Sequence, residues 1–97
     1  MKRVLVVEDV VDTAHWLAER VRAAFGAGVA VTLAHTLAAA KRMADQDAFD
    51  LFVVDLGLPD GEGTDFIRHV EPVRTGAHVV VTTTYDDDDH VFRALRA

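Results

Sequence analysis

The chain contains no cysteine. That absence excludes a disulfide framework and any thiolate metal site, and it suits a reducing compartment. No apolar run approaches the roughly 20 residues needed to cross a bilayer, and Met1-Lys2-Arg3 leads into an apolar stretch too short for a signal peptide. Basic residues are in the minority. Ten Lys and Arg stand against 16 Asp and Glu, a net charge of −6, which argues against a nucleic-acid contact or an anionic membrane surface on this domain, though not on an attached one. No linker, repeat or low-complexity tract divides the 97 residues, and the aspartate run at 86–89 is too short to count. One domain is expected, near the low end of the usual size range. A chain this short buries only about 60–65% of its unfolded surface, so its margin of stability is thin.

What is present is an alternation of two periodicities. Lys2–Val7 is valine-rich and apolar on both faces, as in a central parallel strand. Ala14, Leu17, Ala18, Val21 and Phe25 then recur at helical spacing, with Glu19, Arg20 and Arg22 opposite. Asp12 is a candidate N-cap, and Gly26 and Gly28 stop the helix. Val29–Ala34 reads as a second strand, and Thr36 to about Ala44 as a second helix with Leu37, Ala40 and Ala44 on one face. Leu51–Val54 is the third strand. Thr64–Val70 is a short helix ended before Pro72. Ala77–Thr82 is a β-branched fourth strand. Asp87–Arg96 starts a fourth helix with Val91, Phe92 and Leu95 inward. The order β-α-β-α-β-α-β-α implies right-handed crossovers and a parallel sheet covered on both faces. In such sheets the functional crevice lies beyond the carboxyl ends of the strands.

The strand ends carry one chemistry. The first ends in Glu8-Asp9, the third in Asp55 and the fourth in Thr82-Thr83-Thr84. If the first and third strands are neighbours, three carboxylates converge and raise one another's pKa values. A hard divalent cation relieves that repulsion. Magnesium takes oxygen ligands, keeps several waters and binds through a few carboxylates plus a phosphate. Asp55 is also a candidate nucleophile, because an aspartyl carboxylate can form an acyl phosphate. The threonine hydroxyls are donors for a phosphoryl oxygen, and Gly57 leaves room and backbone groups beside Asp55.

The stretches "VLVVED" at 4–9, "FVVDLGLPDGEG" at 52–63 and "VVVTTTYDDDD" at 79–89 resemble the receiver domain of bacterial two-component response regulators. The acidic pair ends the first strand and the aspartate ends the third. Proline follows that aspartate by four residues and glycine by eight, and a hydroxyl residue ends the fourth strand. The resemblance covers the whole chain. It implies a flavodoxin-like fold with sheet order 2-1-3-4, a cytoplasmic setting, and phosphoryl transfer from a cognate histidine kinase to Asp55, the domain being a phosphoacceptor rather than an enzyme. It also implies Mg2+ held by Glu8, Asp9, Asp55 and the backbone carbonyl of Gly57. Thr83 matches the family's switch hydroxyl, with Thr84 next to it and Tyr85 at a position bordering the phosphoryl site. "DLGLPDG" is common in regulators that carry a DNA-binding output domain.

The chain departs from the family at one end. The family has a fifth strand bearing an invariant lysine, then a fifth helix; this chain stops at Ala97 within the fourth helix, and Lys2 and Lys41 lie in the wrong places to substitute. The expectation is a receiver domain over 1–97 that is incomplete at its C-terminus. Val79, Val80, Val81 and their neighbours would then form an uncovered edge, a template for self-association, element swapping or a homodimer along residues 77–84.

Several of these residues also have plain structural readings. Asp55 suits a loop cap, Glu8-Asp9 suits a solvated strand end, and the run at 86–89 suits the first turn of a helix, where acids favour the dipole. Gly61 and Gly63 suit backbone geometry rather than a phosphate cradle. His15, His35, His69, His78 and His90 show no metal-ligand spacing and read as surface or boundary residues. Trp16 reads as a half-buried boundary residue, and Tyr85 equally as an aromatic cover on the fourth strand. Two function classes remain: a phosphoacceptor signalling domain, and a receiver-like interaction module or self-associating fragment that is not phosphorylated. Retention of all three acidic residues favours the first. A flavin- or cobalamin-binding flavodoxin-like domain lacks support, because neither a Ser/Thr-rich phosphate loop nor a D-x-H-x-x-G motif is present.

Overall fold

Valine-rich runs form strands that bury both faces. A computed structural model of the chain describes residues 2–71 and 76–82 and the backbone of 92–93. The elements are β1 (Arg3–Val7), α1 (Val11–Phe25), β2 (Ala30–Ala34), α2 (Leu37–Gln46), β3 (Leu51–Asp55), β4 (Gly57–Leu58), β5 (Gly61–Glu62), α3 (Gly63–Val70), β6 (His78–Thr82) and β7 (Phe92–Arg93). The main sheet has the order β2-β1-β3-β6-β7. Its first four strands are mutually parallel, as alternation with helices requires, and β7 runs antiparallel to β6. The expected 2-1-3-4 order is therefore that of the four long strands. β4 and β5 make a small antiparallel hairpin just after β3.

Alternate side chains along each strand go to opposite cores. Leu5, Val7, Phe52, Val54, Val79 and Val81 face α2 and α3, where Leu37, Ala40, Phe66 and Val70 complete one cluster. Phe52 meets Phe66 edge-on with ring centroids 5.3 Å apart, a favoured aromatic geometry. Val4, Val6, Leu51 and Val53 face α1 and pack with Leu17, Val21 and Val29.

Strand register is set at the amino ends. The Asp50 carboxylate accepts hydrogen bonds from the backbone N–H groups of Lys2 (3.0 Å) and Arg3 (2.9 Å). Its own N–H donates to the Arg3 carbonyl, and its carbonyl accepts from His78. One residue thus aligns the starts of β1, β3 and β6, and that alignment decides which residues meet at the far ends. The two N–H donors hold the Asp50 carboxyl below the usual carboxylate range.

Four expectations are corrected. The segment expected as a fourth helix contains a strand at Phe92–Arg93, paired with Val81 and Thr82; the unpaired groups on the outer edge of β6 favour a paired strand over local helical periodicity. That edge is accordingly not bare along its whole length, since the chain's own β7 covers its upper end. Asp12 is not the N-cap of α1. Val10 holds that position, and Asp12 lies in the first turn, where its charge still suits the helix dipole. Phe25, expected on the buried stripe, is 45% exposed at the end of α1, beyond the reach of the sheet. Thr36 does cap α2, its side chain accepting from the Ala39 N–H at 3.1 Å.

Candidate functional site

Three carboxylates meet at the carboxyl ends of two adjacent strands. Glu8 and Asp9 follow β1, Asp55 ends β3, and one carboxylate oxygen from each lies within 4.8 Å of the others. Glu8 is 0% and Asp55 1% exposed, while Asp9 is half-buried. Glu8 and Asp55 are buried, so neither is a solvated strand end; the loop-capping reading of Asp55 survives beside the functional one, because its side chain accepts from the Gly57 N–H two residues on.

Glu8 is held at its backbone and at one carboxylate oxygen. Its N–H donates to the Ala34 carbonyl at 2.9 Å, extending the β1–β2 ladder by one step. Its carbonyl accepts from Nδ1 of His35 at 2.8 Å. Its Oε2 accepts from the Val10 N–H at 3.1 Å. Asp55 Oδ1 accepts from the Gly57 N–H at 3.3 Å. The other oxygen of each, Glu8 Oε1 and Asp55 Oδ2, is buried without a hydrogen-bond partner. Such orphaned oxygens are rare in folded proteins and call for an ion or a proton.

The electrostatics agree. Burial pushes the Glu8 carboxyl up to about 8; the Val10 N–H opposes this, and Asp9 and Asp55 add to it. Burial also raises the Asp55 carboxyl, against the Gly57 N–H and with the Asp9 charge. A site built only of oxygens, with two of them unsatisfied and a charge excess of one sign, fits a hard divalent cation such as Mg2+.

Among the described residues a third buried orphan is Thr82 Oγ1. In register Thr82 is the partner of Asp55, so its side chain leaves the same face of the sheet one strand over. The family pattern points to Thr83 rather than Thr82 as the switch hydroxyl. Thr83, Thr84 and Tyr85 lie outside the described residues, as do His90 and the aspartates at 86–89.

The loop after Asp55 is shaped by two glycines. A Cβ on Gly63 would strike the Asp55 carbonyl oxygen and lie 2.9 Å from Leu56 Cα, and one on Gly61 would lie 2.5 Å from Leu37 Cδ2. Gly57 is different: a Cβ there meets nothing within 4 Å, so the space beside Asp55 does not depend on a glycine at 57. Asp60, between the hairpin strands, accepts from the Leu37 and Ala38 N–H groups at 2.7 and 3.0 Å. Its role and that of His35 were not legible beforehand, since both depend on contacts more than 20 residues away in sequence.

A cleft of about 460 Å3 lies elsewhere, at the ends of α2 and α3, lined by residues including Asp45, Asp47, Phe49, Phe52 and His69. Asp45 is paired with His69 at 2.8 Å and Asp47 with Arg3 at 3.2 Å, so its carboxylates already have partners.

The family model for the response regulator receiver domain matches residues 4–97. The chain belongs to the response regulator receiver family. It is 32% identical over 91 residues to the KDP operon transcriptional regulatory protein KdpE of Escherichia coli K12, covering 94% of this chain and 39% of that protein. It is 31% identical over 58 residues to the response regulator PilR of Pseudomonas aeruginosa, covering 60% of this chain and 13% of PilR. The receiver thus spans well under half the length of these relatives.

Among solved structures, it superposes with a TM-score of 0.75 and 28% identity on a Burkholderia pseudomallei response regulator described with a phosphorylated aspartic acid, a calcium ion and citrate. The match covers 91% of this chain and 50% of that one. The TrrA response regulator of Thermotoga maritima, in complex with Mg2+ and BeF, gives a TM-score of 0.76 at 23% identity, over 89% and 72% of the two chains; at that identity it speaks for the fold. The chain is therefore a response regulator receiver domain of the two-component type with the flavodoxin-like parallel sheet. No helix among its described residues is long and apolar enough to cross a membrane.

Proposed function

We propose that Asp55 is the phosphoacceptor of this receiver domain and that Glu8, Asp9, Asp55 and the Gly57 carbonyl hold Mg2+ beside it. The observation that carries this reading is the pair of buried, unpartnered oxygens on Glu8 and Asp55, within reach of Asp9. When bound, the cation supplies positive charge that offsets the repulsion among the carboxylates and an incoming phosphoryl group.

The chain's own residues have separate tasks. The Gly57 N–H holds one Asp55 oxygen, and the other, buried and without a partner, is the nucleophile for phosphorus in this reading. The bond from phosphorus to a histidine nitrogen of the kinase breaks as the new acyl phosphate bond forms, and the electron pair stays on the imidazole. The protein is then a phosphoacceptor and not an enzyme acting on a separate substrate. Thr83 is the switch hydroxyl by its place in the family pattern, with Thr84 and Tyr85 bordering the site.

The partners of this reading are a cognate histidine kinase and an output domain. KdpE is a transcriptional regulatory protein, which agrees with the "DLGLPDG" lean toward DNA-binding outputs. We infer that residues 1–97 are the receiver part of a longer cytoplasmic regulator, supported by the fraction of its relatives that the chain spans. Acetyl phosphate with Mg2+ tests the assignment in a chain continued through the family's fifth strand and lysine. One phosphoryl group should be added, on Asp55, and none in Asp55→Asn. A phosphopeptide mapped to another aspartate overturns the assignment, and absence of any labelling favours an unphosphorylated interaction module. Thr83→Ala should still accept phosphate while losing the conformational response.

A further inference from the structure

The acidic site has two halves that share no backbone. Glu8 and Asp9 belong to the end of β1. Asp55 and Gly57 belong to β3 and the loop after it. A third segment, the start of α2, touches both.

On one side His35, the residue after β2, donates from Nδ1 to the Glu8 carbonyl at 2.8 Å; a carbonyl only accepts, so Nδ1 carries the proton. That carbonyl and the Asp9 N–H belong to one planar peptide unit. Fixing the carbonyl fixes the plane from which the Asp9 side chain departs. On the other side Asp60, three residues past Gly57, takes the Leu37 and Ala38 N–H groups at 2.7 and 3.0 Å. With Ala39 held by Thr36 and Ala40 making the first helical bond to the Thr36 carbonyl, the orphan donors at Leu37, Ala38 and Ala39 are filled. Two of them are filled from a distant loop. The missing Cβ of Gly61 lets Leu37 seat directly on that loop.

We infer that His35 and Asp60 are positioning residues that join the two halves of the acidic site through residues 35–38, so that cation binding and the start of α2 are coupled. The inference rests on the proposed cation site. Outer partners of metal ligands are worth roughly 10-fold or more in metal affinity when removed. Coupling in binding free energy is reciprocal: if the bonds at α2 strengthen the cation site, the cation must strengthen the bonds at α2.

The test uses the 97-residue chain, Mg2+ alone, and amide chemical shifts with hydrogen exchange. Mg2+ should slow exchange at Leu37 and Ala38. His35→Ala, which removes a partner of the Glu8 carbonyl, should weaken Mg2+ binding by about 10-fold, and Asp60→Ala, which touches no ligand directly, should weaken it measurably but less. His35→Asn, whose amide nitrogen falls near the place of Nδ1, should restore most of it. Before any Mg2+ is added, Asp60→Ala should already shift the Glu8 and Asp9 amides, and His35→Ala the Gly57 amide. That metal-free arm shows whether each variant is folded and whether the halves are joined. Asp9→Asn separates the two ideas. If it abolishes the Mg2+ response while the His35 and Asp60 variants bind as tightly as the unaltered chain, the coupling is wrong and the cation site stands. If Asp9→Asn leaves the response intact, or the unaltered chain shows none, the cation site is wrong and its coupling to α2 falls with it; the metal-free shifts then report only whether the two halves are joined.

Discussion

Glu8 and Asp55 stand at the same level of two adjacent parallel strands, one residue past the register pair Val7 and Val54, and both are sealed from solvent. Each has one oxygen held by a nearby backbone N–H and one oxygen with no partner. Two buried carboxyl groups so placed cannot both be charged without help. Either a proton or a cation resolves the conflict.

The pH dependence of stability follows from this. The folded chain keeps a proton on Glu8 up to about pH 8, whereas the unfolded chain releases it near the ordinary carboxylate value. Between those limits the folded state binds more protons, so this group's contribution to stability is full at the acid end and is lost as pH rises. Thermal unfolding without Mg2+ should show a midpoint that falls between about pH 5 and pH 8. Glu8→Gln should flatten that limb, and saturating Mg2+ should raise the midpoint most at the alkaline end, where it no longer competes with the proton. A limb as steep in Glu8→Gln as in the unaltered chain sinks the assignment to Glu8.

Gly63→Ala should be costly. The added methyl would collide with the carbonyl oxygen of Asp55 and with Leu56 Cα, and backbone cannot move aside as a flexible side chain can. We expect a loss of about 1–3 kcal/mol, read from the denaturant midpoint. Gly57→Ala, where a Cβ meets nothing, should change the midpoint far less. Equal losses at the two positions would contradict the close approach.

Thr82→Val should stabilise the chain in the absence of ligand. The threonine hydroxyl is buried without a partner, and valine keeps the shape while removing the unmade hydrogen bond. A gain of about 1 kcal/mol is expected. A loss in the same chemical denaturation experiment shows that the hydroxyl has a partner in solution.

Asp50→Ala should disturb the sheet as a whole. Its side chain holds the Lys2 and Arg3 N–H groups, and its backbone spans β1 and β6. Because the carboxyl is held below its usual range, its contribution is present at neutral pH and is lost only as pH falls through that lowered value. The midpoint should drop at pH 7, and the difference from the unaltered chain should shrink at strongly acid pH. A difference that stays constant across pH would mean that the side-chain charge is not what aligns the strands.

The parallel sheet, its helices and the acidic strand ends were determined by the sequence alone. Short valine-rich runs apolar on both faces suit central strands, and helical stripes between them imply parallel crossovers. A charge at the end of such a run is visible without a structure, so Glu8, Asp9 and Asp55 were legible as a set. What tertiary structure decided was everything that rests on contact between distant segments. Asp60 carries no local signal of its role, yet it caps α2. His35 looked like a boundary histidine and holds the Glu8 carbonyl. The Phe92–Arg93 segment had helical spacing and pairs as a strand, because an open sheet edge offers hydrogen bonds that local periodicity does not count. Thr82 and Thr83 are alike as letters; only the register of β3 on β6 puts Thr82 opposite Asp55. Local pattern reports which face of an element is apolar, whereas register and capping are set by where two elements lock together. At this site that locking turns three separate carboxylates into one cluster, two of them buried, with oxygens left to fill.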